Sequence, residues 1–214
     1  MTIDNDDLLN SVIASLGRID AISLDDIPNI DLYMDQLTTF MDERLKQSTR
    51  HPETDKILTK TMINNYAKND LLPPPIRKKY SKDHIILLIF IYYLKNILSI
   101  SDIQTLLDPL KERFHVSDDK LNLSKIYERA FELQNEELEP VIEDLKKKYE
   151  RSLETFDDSE LSEEDKKRMQ TFSFIILLAY DVYIKKLLIE KIIDNSMVGD
   201  SDKKEKPAKE KKKK

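Results

Sequence analysis

The chain has 214 residues, of which 36% are charged and 40% hydrophobic, so it is long enough to bury one sizeable core. It has only two glycines and no cysteine. This composition argues against glycine-rich phosphate loops and excludes disulfides, thiol catalysis and cysteine-ligated metals. The scarcity of glycine also favours helices over hairpin arrays and barrels.

The N-terminal residues lack the positive flank and the apolar run of a signal peptide. The longest apolar runs, at residues 85–94 and 172–180, are shorter than the ~20 residues that span a bilayer. Because cysteine is also absent, we expect a cytoplasmic protein that has no membrane partner.

The net charge of −6 hides an uneven distribution along the chain. Residues 56–95 carry 8 Lys and Arg against 2 Asp and Glu, or +6. Residues 1–55 carry 4 against 12, or −8, and residues 96–200 carry 15 against 24, or −9. A positive window inside an acidic chain indicates an anionic partner.

In chain order, residues 1–26 are predicted to form an acidic arm with a short amphipathic piece at residues 8–16. Pro73 to Pro75 should stop helix formation and hold the chain extended. Thr59 or Thr61, Ser81 and Ser101 are suited to begin helices. The helices predicted in this half span residues 31–46, 61–69, 82–98 and 101–114.

Two long helices are predicted to follow. The first covers residues 123–153 and is expected to be interrupted or bent near Pro140, and the second runs from Ser162 to Ile193. Apolar residues cover more than one side of the second helix. Either it forms an intramolecular bundle with residues 123–153, or a free side binds a second copy, and we predict a homodimer. Residues 201–214 are a lysine-rich tail that we expect to be disordered.

Several short runs resemble parts of MerR-type regulators. Residues 63–75, with the sequence INNYAKNDLLPPP, resemble the recognition helix and the turn after it. Residues 80–84 (YSKDH) resemble the entry to the next helix, and residues 97–103 (ILSISDI) resemble the start of the one after that. With residues 27–36 upstream, the chain resembles a bacterial family known as domain of unknown function 1836, which is regarded as MerR-like.

The resemblance covers roughly residues 27–110 and implies a helix-turn-helix module with a reduced wing. The predicted fold is therefore all-α, with this module and a C-terminal helical bundle. The predicted divisions are an arm at 1–26, the module at 27–118, a dimerising or regulatory helical region at 119–200 and the tail at 201–214.

The first group of predicted DNA-binding residues lies on the helix at 61–69. Asparagine can bond adenine in the major groove through two hydrogen bonds, and Lys and Thr can reach phosphates or bases. The alternative is an ordinary solvated helix face. The residues predicted to face the groove are Thr61, Asn64, Asn65 and Lys68.

The second group follows the three prolines. Arg77, Lys78, Lys79 and Lys82 are predicted to contact phosphates from a short wing, although a solubilising loop would have the same composition. Tyr80 is included because its hydroxyl could bond a phosphate; alternatively it packs and anchors the turn.

Nothing in the sequence indicates enzymatic chemistry. The histidines, at positions 51, 84 and 115, do not have metal-ligand spacing, and satisfied or solvated roles are the expectation for them. Nucleophile and nucleotide motifs are missing. We therefore expect no enzyme activity, no cofactor and no metal.

The predicted function is sequence-specific binding of duplex DNA in transcriptional control. The alternative is a non-enzymatic module that uses the same scaffold to bind an acidic protein or its own acidic arm.

Overall fold

The computed structural model describes residues 9–11, 13–14, 22–116, 120–157 and 160–197. Helices dominate these residues, which confirms the all-α prediction. The helices are α1 (Met34–Leu45), α2 (Lys60–Lys68), α3 (Lys82–Leu94), α4 (Ile100–Lys111), α5 (Leu123–Leu153) and α6 (Glu163–Ile192). Two strands of two residues each, β1 (Leu32–Tyr33) and β2 (Lys79–Tyr80), pair antiparallel. Short 3₁₀ turns cover Leu24–Asp26 and Lys46–Ser48, and a π-helical turn covers Ile193–Met197.

Polar caps set the starts of the helices. Thr59 Oγ1 accepts a hydrogen bond from Met62 N at 3.2 Å and begins α2. Ser81 and Ser162 stand at the N-caps of α3 and α6, as predicted. Helix α4 begins after Ser99 instead of Ser101, because the Ser99 hydroxyl and the Asp102 carboxylate form the capping bonds.

Helix α3 is the centre of the module. Apolar side chains lie on every side of this helix. The four residues from Ile85 to Leu88 are each 0% exposed. Burying one such side chain stabilises the fold by about 1.5–3 kcal/mol. The core around α3 draws side chains from α1, α2, α4 and the chain before β1.

The two long helices form an antiparallel hairpin. Tyr149 of α5 packs edge-on against Phe174 of α6, with ring centroids 5.4 Å apart. Of the interruption or bend predicted near Pro140, the interruption is wrong, because α5 runs unbroken through this residue. Pro140 and Glu136 are both exposed, so water can bond the Glu136 carbonyl that has lost its helical donor.

The start of α5 and the residue after α6, which lie together at the open end of the hairpin, are both joined to the module. The hydroxyl of Tyr127 in α5 donates to the carbonyl oxygen of Ile22 at 2.5 Å, and Ile22 is 3% exposed. Ile193, in the π-helical turn after α6, is also 3% exposed and belongs to the same core. Residues 22–26 of the predicted arm are thus part of the packed module.

The amphipathic segment predicted at residues 8–16 is helical at residues 9–11 and 13–14. The other residues of the arm before Ile22, and the tail at 201–214, lie outside the described residues. Within the described ranges, no helix has both the length and the apolar content that a bilayer-spanning segment needs.

Candidate nucleic-acid interface

The two faces of α2 differ sharply. Ile63 and Tyr66 face the core, with 0% and 8% of their surface exposed. The four predicted groove-facing residues are on the other side and are all exposed. Their side chains do not bond any residue that the structure describes, so their polar groups are available to an external partner. These residues are Thr61, Asn64, Asn65 and Lys68.

The end of α2 is held firmly in place. Asp70 has a φ of 58°, which turns the chain out of the helix, and Leu71 N then donates to Tyr66 O at 2.9 Å. Leu71 and Leu72 are both 0% exposed and anchor this turn in the core. Lys111 of α4 donates from Nζ to Asp70 O at 2.5 Å, which ties the turn to the neighbouring helix.

After the prolines, the chain makes a hairpin with a two-residue loop. Ile76 N donates to Lys79 O at 3.1 Å, and Lys79 N donates to Ile76 O at 2.9 Å. The two residues between them, Arg77 and Lys78, have φ values of 51° and 64°. Positive φ at both loop positions is the geometry of a type I′ turn. This hairpin lies where the reduced wing is predicted, and residues 76–79 are called the wing from here on.

The tip of the wing exposes both of its cations. Arg77 and Lys78 are exposed and form no ion pair with a described residue. A non-glycine residue in the left-handed region costs roughly 1–2 kcal/mol. Asn-Gly would form this turn with less strain. The chain thus places two charged side chains where uncharged residues would fold better.

Lys79 and Lys82 of the predicted cluster are more restrained. Lys79 Nζ lies 5.1 Å from the ring centroid of Tyr33, its partner across the β1–β2 ladder. Lys82 Nζ donates to Asn29 Oδ1 at 3.1 Å. Both side chains remain partly exposed, so either could reach a phosphate by giving up a weak contact.

Tyr80 is the one buried residue among those predicted to contact DNA. It is 2% exposed, and its ring lies edge-on to His84 with centroids 5.3 Å apart. Burial raises the pKa of its hydroxyl. This burial favours the alternative of a packing residue that anchors the turn, and contact of the hydroxyl with a phosphate stays a prediction.

His84 has a structural role that connects the wing to α3. It is 0% exposed, and its Nδ1 accepts from Ser81 N at 3.0 Å. The proton is then on Nε2, which donates to the carbonyl oxygen of Pro74 at 3.4 Å. Burial lowers the pKa of His84. The ring holds the proline segment and the end of the wing together, which its position three residues after the Ser81 cap could have indicated.

Sequence reasoning missed a group of exposed apolar side chains beside the wing. Ile30, Tyr33 and Ile76 are 67%, 53% and 57% exposed. Ile76 begins the hairpin and Tyr33 lies in β1, so these two side chains flank the basic tip, and Ile30 lies two residues before β1. No sequence periodicity marks them, because Tyr33 lies in a strand of only two residues and the other two lie outside the strands.

In the part of the chain that the structure describes, no three histidine or carboxylate side chains are grouped as metal ligands would be.

The residues that match a family model coincide with most of the folded module. Residues 22–130 match the family model described as domain of unknown function (DUF1836). The chain belongs to this family. The DUF1836 match begins at the buried Ile22 and ends just after Tyr127, the residue that bonds it. No curated protein and no solved structure matches the chain.

Proposed function

We propose that this DUF1836 protein binds duplex DNA in a sequence-specific manner and acts in transcriptional control. Helix α2 would lie in the major groove, and the wing would contact the adjacent phosphates. The observation that supports this most is the outer face of α2. It presents two asparagines, a threonine and a lysine that are exposed and bonded to no described residue.

The order of the elements supports a MerR-like helix-turn-helix. Strand β1 leads into α1 and α2, the wing returns to pair with β1, and α3 and α4 follow. Asp70 adopts the left-handed conformation at a position where MerR-type helices usually have glycine. The connection between α1 and α2, residues 46–59, is longer than a tight helix-turn-helix turn.

The wing supplies the electrostatic part of the proposed contact. Arg77 and Lys78 are at its tip, and Lys79 and Lys82 lie behind them. Cations that neutralise phosphates release counterions, so they contribute affinity that falls as salt rises. They carry little sequence information, which we assign instead to Asn64 and Asn65.

We also propose that the protein is a homodimer through its C-terminal helices. Eleven large apolar residues of α6 are exposed in the single chain, including Phe172 at 57% and Tyr180 at 64%. Contiguous exposed apolar surface of this kind marks interaction sites. A dimer would let two α2 helices read two half-sites of an operator.

The alternative proposal, a protein-interaction module, has one observation in its favour. Tyr33 and Ile76 put exposed apolar surface next to the cationic tip, a mixture suited to an acidic protein partner. Under this alternative the acidic residues 1–26 would mask the surface. Deleting residues 1–21, which leaves the buried Ile22 in the core, would then raise affinity for the partner, and selection from random DNA would enrich no sequence.

A salt titration of DNA binding tests the proposed contacts. Fluorescence anisotropy would be measured with a chain ending at residue 200, so that the lysine tail does not contribute. Removing one phosphate contact, as in Lys78→Ala, should reduce the slope of log affinity against log salt by about 0.9.

Lys147→Ala is the matched control, because Lys147 is an exposed lysine on α5, away from the module. It should leave the slope unchanged. Equal effects of the two substitutions would mean that the wing has no special contact with DNA, and the proposal would fail.

A further inference from the structure

A second cationic feature lies away from the wing, in a pocket of about 320 Å³. Its walls are the connection between α1 and α2 and the C-terminal end of α3. The wing adjoins the other end of α3, and a helix of this length is about 20 Å long. The pocket is therefore well separated from the wing tip and within the size range of small-molecule sites.

Three cations line this pocket. Arg50 and Lys56 come from the connection, and Lys95 follows the last turn of α3. Asp55 is the one acid among the lining residues, and its carboxylate accepts from the backbone N–H of His51 at 3.0 Å. None of the three cations forms an ion pair with a described residue. This is unexpected in a chain that has 41 Asp and Glu against 35 Lys and Arg.

Lys95 is held in place without a carboxylate. Its Nζ donates to Ile57 O at 3.0 Å and lies 4.9 Å from the ring centroid of Tyr92. Burial lowers the pKa of Lys95, and no carboxylate of a described residue pairs with it. An ammonium group has three N–H donors, so two remain available to a ligand. The group is fixed before any ligand arrives, which reduces the entropy lost on binding.

The hydroxyl groups in the wall are already used. Ser48 donates to Leu45 O at 2.6 Å, and Thr49 donates to Lys46 O at 2.8 Å. The Tyr92 hydroxyl bonds Ser48 at 2.6 Å. The free donors are therefore those of the three cations and the Asn96 amide, a set suited to an anion and not to a neutral polar ligand.

We propose that this pocket binds a small phosphate-bearing anion, with Arg50, Lys56 and Lys95 as its ligands. Three positive charges and one negative charge leave +2, which a phosphate dianion would neutralise. The guanidinium of Arg50 can bond two phosphate oxygens at once, and the lysines act as point charges. This role would explain why the connection between α1 and α2 is long, because residues 48–56 form most of the pocket wall.

Amide NMR on the full chain tests the proposal. Sodium phosphate and ribose 5-phosphate would be titrated separately against sodium chloride at constant ionic strength. Saturable shifts of the Thr49, Arg50, Lys95 and Asn96 amides are expected with at least one of them. Tighter binding of the sugar phosphate would identify an organic phosphate ester as the ligand class; tighter binding of inorganic phosphate would identify the free ion.

The double substitution Arg50→Gln with Lys56→Gln should weaken the binding about five- to tenfold. Both residues are exposed, so the fold should survive. The matched control is Lys46→Gln with Lys60→Gln. It removes two cations that do not line the pocket. Lys46 pairs with Glu53, and Lys60 pairs with Asp35. The control should bind phosphate as the wild type does.

Linear shifts that never saturate, or equal weakening by the two double substitutions, would overturn the proposal. It would also fail if a short DNA duplex, and not phosphate, shifted these amides, since the pocket would then belong to the nucleic-acid interface. If the protein proved not to bind DNA through α2 and the wing, the result of the phosphate titration would still stand.

Discussion

At the scale of single residues, the wing tip shows a conflict between folding and the proposed function. Arg77 and Lys78 both have positive φ, which glycine or asparagine adopts at lower cost. Strained non-glycine residues that persist in a structure suggest a functional requirement for their side chains. Here that requirement would be two positive charges at the tip.

Lys78→Gly should therefore stabilise the protein while weakening DNA binding. We expect the free energy of unfolding to rise by about 0.5–1 kcal/mol, because the relief of strain exceeds the added freedom of the unfolded chain. Urea denaturation measures this. Lys78→Arg is the control and should change neither stability nor affinity. A decrease in stability with Lys78→Gly would contradict the strain argument.

His84 should make stability depend on pH. Burial lowers its pKa in the folded protein below the ordinary value of 6.5. The unfolded chain then binds a proton before the folded one as the pH falls. Stability is thus complete above pH 6.5 and decreases below it, towards the lowered folded pKa. Protonation would also replace the acceptor at Nδ1 with a donor that faces Ser81 N.

His84→Gln should flatten this dependence. The Gln side chain can still accept from Ser81 N, as in an ordinary capping box, but it does not titrate. Urea denaturation at pH 5, 6 and 7 should show a smaller loss of stability than in the wild type. Asp83 and His115 lie beside this site and remain in both proteins. An unchanged pH dependence would show that other groups cause it.

At the scale of elements, periodic helices were predictable and short strands were not. The inner and outer faces of α2 follow from its helical spacing, and Asn64 and Asn65 are exposed as expected. Helix α1 was expected to begin at residue 31 but begins at Met34, because residues 32 and 33 pair with β2. That pairing joins residues far apart in sequence, and two-residue strands have no periodicity to reveal it.

The Lys111 contacts should matter for the position of α2. Its Nζ bonds Asp70 O at 2.5 Å and Asp108 Oδ1 at 2.7 Å, and its side chain is 14% exposed. Lys111→Met keeps the apolar stem and removes these bonds. We expect a loss of about 1 kcal/mol in stability and weaker DNA binding. Thermal unfolding and anisotropy measure the two effects.

Lys125→Met is the matched control for this substitution, since Lys125 is exposed on α5. It should leave both quantities near their wild-type values. If Lys111→Met weakened DNA binding without affecting stability, the residue would act in the contact itself and not in holding α2.

At the scale of the whole molecule, the core does not stop at the predicted boundary of residue 118. Leu123, Tyr127 and Ile193 are buried in the same cluster as α3. Ile193 and the residues it contacts are distant in sequence, so no local pattern could show that the C-terminal helices close onto the module. The sequence did show that these helices exist and that α6 has more apolar residues than one face can hold.

The surplus apolar surface of α6 predicts that a charge placed there will separate a dimer. Ile176→Lys combined with Tyr180→Lys should give a monomer in sedimentation equilibrium, with little loss of stability, because both side chains are at least half exposed in the single chain. Glu150→Lys, on an exposed position of α5, is the control and should stay dimeric. A monomeric wild-type protein would contradict the dimer proposal.

Selection from a random DNA pool tests the central proposal most directly. With the chain ending at residue 200, the wild type should enrich a defined motif. Asn64→Ala and Asn65→Ala should relax the preference within that motif, whereas Lys78→Ala should weaken binding to all sequences alike. Absence of any enriched motif, or the same motif and preference after both asparagine substitutions, would contradict the proposal that α2 reads DNA.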